Sequence, residues 1–491
     1  MTEEMHLFHK LQVYGNSDIY PYHMPGHKRR QLGSIPGEYL KTDITEIDGF
    51  DNLHQAEGIL AEAQKRANSL YRADETFYLV NGSTGGILSA VSAALPEKGH
   101  LLMTRGCHKS VYHAAYLRGL KVTYLYPDRV DGFEFSEAVT AEQVENALNE
   151  GSDIDAVLIV SPTYEGRIAD IRAIAEVVHK RGIPLIVDEA HGTHLGFADG
   201  FAPGSCTQGA DLVIHSVHKT LPAMTQTALL HVNGDLIDRE RLKRFLRIYQ
   251  SSSPSYVLMA SICDAMDIVE KDGHRLFCEF RKEYFSMVRQ LESCSFLRFI
   301  PLSDVESCKQ DIGKLVIATN NPEVSGQWLY NALRERYHIQ CEMAAGGYCL
   351  AMFTIADSGE AYARMLHALT ELDAELAFLY RKQPSVINSS TDSISENISK
   401  PDIRYRLEQA WNLPNKMTKL SESVGRPVGD FVNLYPPGTP ILVPGEVLSR
   451  ELYEKLLEML DKNLNIQGIK NEGGEYLIRT ISDENRTGVE V

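Results

Sequence analysis

Seven apolar runs of strand length recur between residues 75 and 234: ETFYLVNG, HLLMTRG, KVTYLYP, DAVLIVSPTY, IPLIVDEAHG, DLVIHSVHK and TALLHVNG. Between them lie helix-length stretches such as IADIRAIAEVVHKRG, whose apolar positions recur at helical spacing and whose KRG ending is a stop signal. Strand and helix alternating in this way predict an α/β domain with a mostly parallel sheet covered by helices on both faces.

Around that core the chain divides into further parts. Residues 1–60 read as a short helix followed by an irregular segment containing DIYPYHMPGHKRR and DITEIDGFDNLH; 61–290 form the large domain and close on a long helix near 256–294. Residues 291–382 read as a small α+β domain with KLVIATN and YCLAMFTI as strands. The serine-rich segment 383–400 has the composition of a linker. Residues 401–491 form a C-terminal α+β domain centred on VNLYPPGTPILVPGE and ending in a frayed tail.

Charge and cysteine usage exclude several functions. With 66 acidic against 49 basic residues the net charge is −17, which disfavours nucleic acid and fits a protein that handles small molecules, cationic ones included. Eight cysteines without a C-x-x-C pair predict reduced thiols and a cytoplasmic address. The N-terminus is acidic where a signal peptide is basic, and no apolar stretch reaches membrane-spanning length. His23 and His27 have no third ligand at suitable spacing, so no metal site is expected.

Ligands of an open parallel sheet sit beyond the carboxyl ends of its strands, so the polar residues after each run are the informative ones. Ser83 and Thr84, in NGSTGG at a helix start, make a phosphate cradle, although a glycine-rich turn by itself is a common feature. His108 follows the second run and can stack on a planar ring or move a proton. Asp188 follows PLIV, where a buried carboxylate needs a cationic or hydrogen-bonding partner such as a protonated ring nitrogen; a helix cap is the plainer alternative. Lys219, flanked by Ser216 and His218, ends the sixth run, where desolvation frees its amine to attack a carbonyl. Each residue alone has a structural explanation, but together they predict a pyridoxal 5'-phosphate site with Lys219 as its covalent anchor.

The chain also resembles the ornithine/lysine/arginine decarboxylase family of fold-type-I pyridoxal-phosphate enzymes, in its short bacterial branch without a receiver-like wing domain. The likeness is carried by YPYHMPGHK, DNLHQAEGIL, NGSTGGILSAV, GCHKS, SPTYEG, VDEAHGTHLGF, HSVHKTLPAMTQTALLH and YPPGTPILVPGE, in the family's order. It implies an aspartate-aminotransferase-like large domain and decarboxylation of a basic amino acid, arginine or lysine ahead of ornithine, feeding polyamine metabolism. By the same resemblance Lys219 forms the imine with the cofactor aldehyde, Asp188 pairs with the ring nitrogen, and His108 and Ala190 cover the two ring faces. Ser83, Thr84, Ser216 and His218 hold the phosphate, and His191 lies on the substrate side. Family members are homodimers with shared active sites, to which residues 1–60 contribute, and higher oligomers are compatible with this.

Two stretches depart from the family pattern. TEIDGFDNLH stands where TELPGLDNLH is expected, and Gly425–Asp430 reads GRPVGD where GRISAE is expected. Both leave the cofactor chemistry intact and bear on the substrate's distal end, for which Glu446, Asp430, Glu46 and Asp48 are the candidate acidic readers. Two alternatives compete with decarboxylation: another fold-type-I reaction, such as transamination or elimination, and a non-catalytic regulatory relative. An intact Lys219, Asp188 and His108 speak against the latter.

Overall fold

The computed structural model describes residues 6–151, 153–319, 321, 324–382, 400–434, 439–461 and 464–482. The expected linker, apart from Lys400, and the C-terminal tail from 483 lie outside the described residues, as does YPPG of the C-terminal motif. The seven runs become seven strands: β1 Glu75–Leu79, β2 His100–Thr104, β3 Lys121–Leu125, β4 Ala156–Val160, β5 Leu185–Asp188, β6 Leu212–Ser216 and β7 Ala228–Val232.

One compact unit comprises Met1–Pro96, Ala138–Lys282 and Thr354–Ala356. Within it the strand order is β1-β7-β6-β5-β4. The β4–β5 and β5–β6 pairs are parallel, whereas β7 is antiparallel to both β6 and β1. The expected mostly parallel sheet therefore holds with one reversed strand. The reason is length: residues 217–227 are too few for the crossover that a parallel neighbour requires.

Local signals fix the helices around these strands. Asp170 caps Ile171–His179 by accepting from Ala173 N (3.0 Å), and Gly182, at φ +68°, turns the chain into β5. The helix Gly82–Ala94 crosses the sheet closely at Gly86, where a Cβ would stand 2.6 Å from Leu79 Cδ1 and 3.2 Å from Ile214 Cγ2. A side chain at position 86 would push the helix, and the turn that begins it, away from the strand ends.

The second unit comprises Glu97–Glu137, Glu283–Phe353 and Asp357–Val491. It contains the parallel pair β2–β3 and an antiparallel sheet built on Lys314–Thr319 and Tyr348–Met352, the two strands expected there. Its C-terminal part has two three-stranded sheets and the helix Arg450–Asp461, packed on a core that includes Val428, Val432, Leu442, Leu448 and Leu456.

Candidate active site

Strand β6 ends at Ser216, and the chain at once makes a single helical turn, Val217–Thr220. Lys219 therefore stands one turn beyond the strand rather than at its last residue. Val217 N donates to Thr227 O (3.0 Å) and Leu221 N to Val217 O (3.0 Å), while His218 Nδ1 donates to Thr227 O (2.9 Å). These bonds tie the turn to the residue before β7 and aim Lys219 away from His218. Lys219 Nζ lies 3.0 Å from His191 Nε2.

His191 is buried and presents its ring edge-on to Tyr164, with centroids 4.9 Å apart at 66°. It is placed by the tight turn after β5, in which Gly192 N donates to Glu189 O (2.9 Å). A Cβ at Gly192 would approach Glu189 Cγ to 2.6 Å and Pro162 Cδ to 2.8 Å, so the turn needs glycine.

Asp188 is 4 % exposed, and among the described residues its side chain accepts a hydrogen bond from Ala190 N (3.2 Å). Burial raises its pKa, opposed by the charge of Lys219 and by the Ala190 N–H. A buried carboxylate so sparsely held favours a cationic donor beside it. Ser216 Oγ is likewise buried, with no hydrogen-bond partner among the described residues.

Ser83 is half-buried and Thr84 exposed, both in the first turn of Gly82–Ala94. Asn81, at the cap position, does not close that end. Its Nδ2 donates instead to Tyr249 O (3.1 Å), which leaves the first-turn N–H groups uncapped by its side chain.

Other expected residues fall elsewhere. Glu46 Oε1 is buried without a hydrogen-bond partner among the described residues, and Asp48 is exposed; both belong to the first unit. In the second unit His108 caps the helix Lys109–Arg118, its Nδ1 accepting from Ser110 N (3.2 Å). Asp430 accepts from Phe431 N (2.8 Å) and lies 4.0 Å from Arg479. Glu446 Oε2 accepts from Arg105 Nη2 (2.9 Å) and Val443 N (2.8 Å), while its Oε1 is buried and unpartnered among the described residues.

Arg105 was not anticipated as a site residue. It also donates to Tyr112 Oη (2.9 Å), Pro440 O (2.9 Å) and Ile441 O (3.2 Å), clasping the PGE segment to the end of β2. The signal was present in its position, directly after an apolar run. Tyr164 lies four residues beyond the end of β4. No group of three or more metal-ligating side chains occurs among the described residues, and no described helix is long and apolar enough to cross a membrane.

Residues 6–344 match the family described as Orn/Lys/Arg decarboxylase, major domain. The chain belongs to that family. It is an amino-acid decarboxylase by that membership. An arginine decarboxylase of Bacillus subtilis is 29% identical over 490 residues, which cover 98% of each chain. An inducible lysine decarboxylase of Escherichia coli is 23% identical, covering 97% of this chain and 81% of its own. In fold, the decarboxylase resembles the lysine decarboxylase LdcF of Francisella novicida, with a TM-score of 0.80, 18% identity, and coverage of 97% of this chain and 81% of the other.

Proposed function

We propose that the protein decarboxylates a basic amino acid with pyridoxal 5'-phosphate, arginine being the favoured substrate, and releases the amine for polyamine metabolism. The carrying observation is the 3.0 Å contact between Lys219 and His191 beside the buried Asp188. Arginine is favoured because proteins named arginine decarboxylase align over nearly the whole chain.

The residues present fit the cofactor. Its phosphate would take the orphaned Ser216 hydroxyl and the uncapped first turn with Ser83 and Thr84, with His218 alongside. Its ring nitrogen would meet Asp188, with Ala190 against one ring face. When bound, pyridoxal phosphate supplies an electron sink for the pair left behind as carbon dioxide departs.

The protein's own groups then have defined tasks. Lys219 Nζ would hold the cofactor through its aldehyde carbon. Its hydrogen bond with His191 Nε2 gives its proton a place to go and return from, so the pair can deliver a proton to the substrate carbon that has lost its carboxyl group. Asp188 stays charged once a cationic N–H faces it, because that attraction opposes the burial that otherwise raises its pKa.

Of the four acidic candidates for the distal end, Glu46, in the same unit as Lys219, keeps a buried carboxylate oxygen without a donor among the described residues, and a guanidinium or ammonium group would satisfy it. Asp48 is exposed, while Asp430 accepts from Phe431 N and Glu446 is paired with Arg105, which makes them weaker readers. The domain division 61–290, 291–382 and 401–491 accompanies this reading, as do a cytoplasmic location and a homodimer with shared sites. Exposed apolar residues crowd the N-terminal segment, among them Tyr22 at 90 % and Leu32 at 81 %, a surface suited to a second copy of the chain.

A panel of arginine, lysine and ornithine, assayed for carbon dioxide and with the amine identified by mass spectrometry, tests the reading. Agmatine from arginine supports it. Ketoacid without carbon dioxide would favour transamination instead.

A further inference from the structure

The sheet face opposite Asp188 and Ser216 carries a second set of polar side chains. Alternation along paired strands places Glu189, His215, His231 and Thr76 on that rear face, directly behind the strand ends used by the site. Ser205 donates to Glu189 Oε1 from Oγ (2.8 Å) and N (3.2 Å). Glu189 Oε2 lies 2.8 Å from His215 Nε2, His215 Nδ1 lies 3.0 Å from His231 Nε2, and His231 Nδ1 lies 2.7 Å from Thr76 Oγ1. All four chain members are 3 % exposed or less. His215 also lines a cavity of about 420 Å³ together with Tyr71, Phe197, Cys206 and His274.

Each of the three contacts in the chain holds one proton, and with both imidazoles neutral two arrangements fill all three. In one, Thr76 Oγ1–H donates to His231, His231 Nε2–H to His215, and His215 Nε2–H to an ionised Glu189. In the other, Glu189 Oε2–H donates to His215, His215 Nδ1–H to His231, and His231 Nδ1–H to Thr76. The second holds one proton more, is neutral, and reverses every bond. His215, at the middle of the chain, is the member that borders the cavity.

We propose that Thr76, His231, His215 and Glu189 form a one-proton relay with two opposed hydrogen-bond directions, whose state acts on the adjacent Asp188 and thereby on cofactor affinity. The effect on Asp188 rests on the cofactor reading above; the relay itself does not. Glu189 is a positioning residue here, since it acts through its neighbour. The groups that face it are His215 from β6, His231 and Thr76 behind that, Tyr71 from the helix Ile59–Tyr71, and His194, Ser205 and Cys206 from the segment after β5; Lys219 faces Asp188. Burial pushes Glu189 up to about 8, against the Ser205 hydrogen bonds, and holds His215 down at about 3 and His231 well below the usual imidazole range. The neutral arrangement is thus the one present at neutral pH. Above pH 8 a negative charge appears one residue from Asp188 and opposes the charge that Asp188 needs.

The test uses full-length protein labelled with 15N at histidine, observed by imidazole NMR from pH 6 to 10. The proton on His215 should move from Nδ1 to Nε2 with a midpoint near 8. Over the same interval pyridoxal phosphate affinity, measured by fluorescence titration, should fall about tenfold, as expected for a new unit charge close by in a partly polar interior. In Glu189→Gln the amide N–H replaces the acid proton, so both the tautomers and the affinity should stay at their low-pH values throughout. Unchanged tautomers in the wild type overturn the relay. An affinity in Glu189→Gln that falls in step with the wild type overturns its action on Asp188. Reversing tautomers in a protein that binds no pyridoxal phosphate at any pH uphold the relay while removing the cofactor reading and the coupling built on it.

Discussion

Lys219 Nζ and His191 Nε2 stand 3.0 Å apart, joined across β5 and β6 by two turns that the sequence makes rigid. At this separation one group donates to the other, and the imidazole packs edge-on against Tyr164 beside the Gly192 turn. On the proposed function, this pair would move the proton that replaces the lost carboxyl group.

Removing the imidazole should slow protonation without emptying the site. His191→Asn is expected to lower kcat by about 10²-fold while pyridoxal phosphate binding changes little. Product analysis should then show less amine and more of the corresponding aldehyde, the product when the proton misses the substrate carbon after carbon dioxide has left. Unchanged turnover would take His191 out of the proton path.

Asp188→Asn keeps the shape of the pocket but loses the charge. A fall in kcat of about 10²-fold to 10³-fold is expected, with some cofactor retained, as read by steady-state kinetics and the visible spectrum. A variant as fast as the wild type would show that the ring nitrogen is not held at this carboxylate.

Arg105 and Glu446 form a buried ion pair at 2.9 Å, with side-chain exposures of 10 % and 2 %. Arg105→Met strands Glu446 and two backbone carbonyls, and should destabilise the protein by about 3 kcal/mol in urea unfolding. Adding Glu446→Gln should recover part of that loss, since the stranded charge is then gone. Equal stability of Arg105→Met and the wild type would contradict the clasp.

The rear chain predicts an optimum in its contribution to stability. His215, held at about 3, and His231, well below 6.5, are neutral when folded, so their stabilisation is present above 6.5 and is lost as pH falls through the folded values. Glu189, raised from 4.5 to about 8, works in the other direction: its stabilisation is full below 4.5 and is lost as pH rises through 8. Between 4.5 and 6.5 the unfolded chain binds two protons on the imidazoles against one on the folded carboxyl, so stability rises with pH; from 6.5 to 8 it falls. Glu189→Gln should abolish the falling limb in urea midpoints measured from pH 6.5 to 8. A falling limb of the same size in that variant would contradict the assignment.

Much of this was legible in the chain itself. The seven strands, the long helix Tyr256–Leu291 and the residues after β5 and β6 follow from apolar runs and from what stands at their ends. The reversal of β7 was not legible by pattern, because a strand buried on both faces looks the same in either direction; only the short link from Ser216 to Ala228 decides it. The helical turn that carries Lys219 was hidden because VHKT is no stronger a helix signal than a strand continuation. Glu189, His215 and His231 were overlooked because attention to one face of a strand passes over the residue pointing the other way.

Every role proposed for the site depends on a covalent link between the side-chain nitrogen of residue 219 and pyridoxal phosphate. Borohydride reduction of the loaded enzyme, followed by peptide mass spectrometry, tests it most directly. A phosphopyridoxyl group is expected on Lys219 and is expected to be absent from Lys219→Ala. A reduced protein with no adduct, or with its adduct on another lysine, would contradict it.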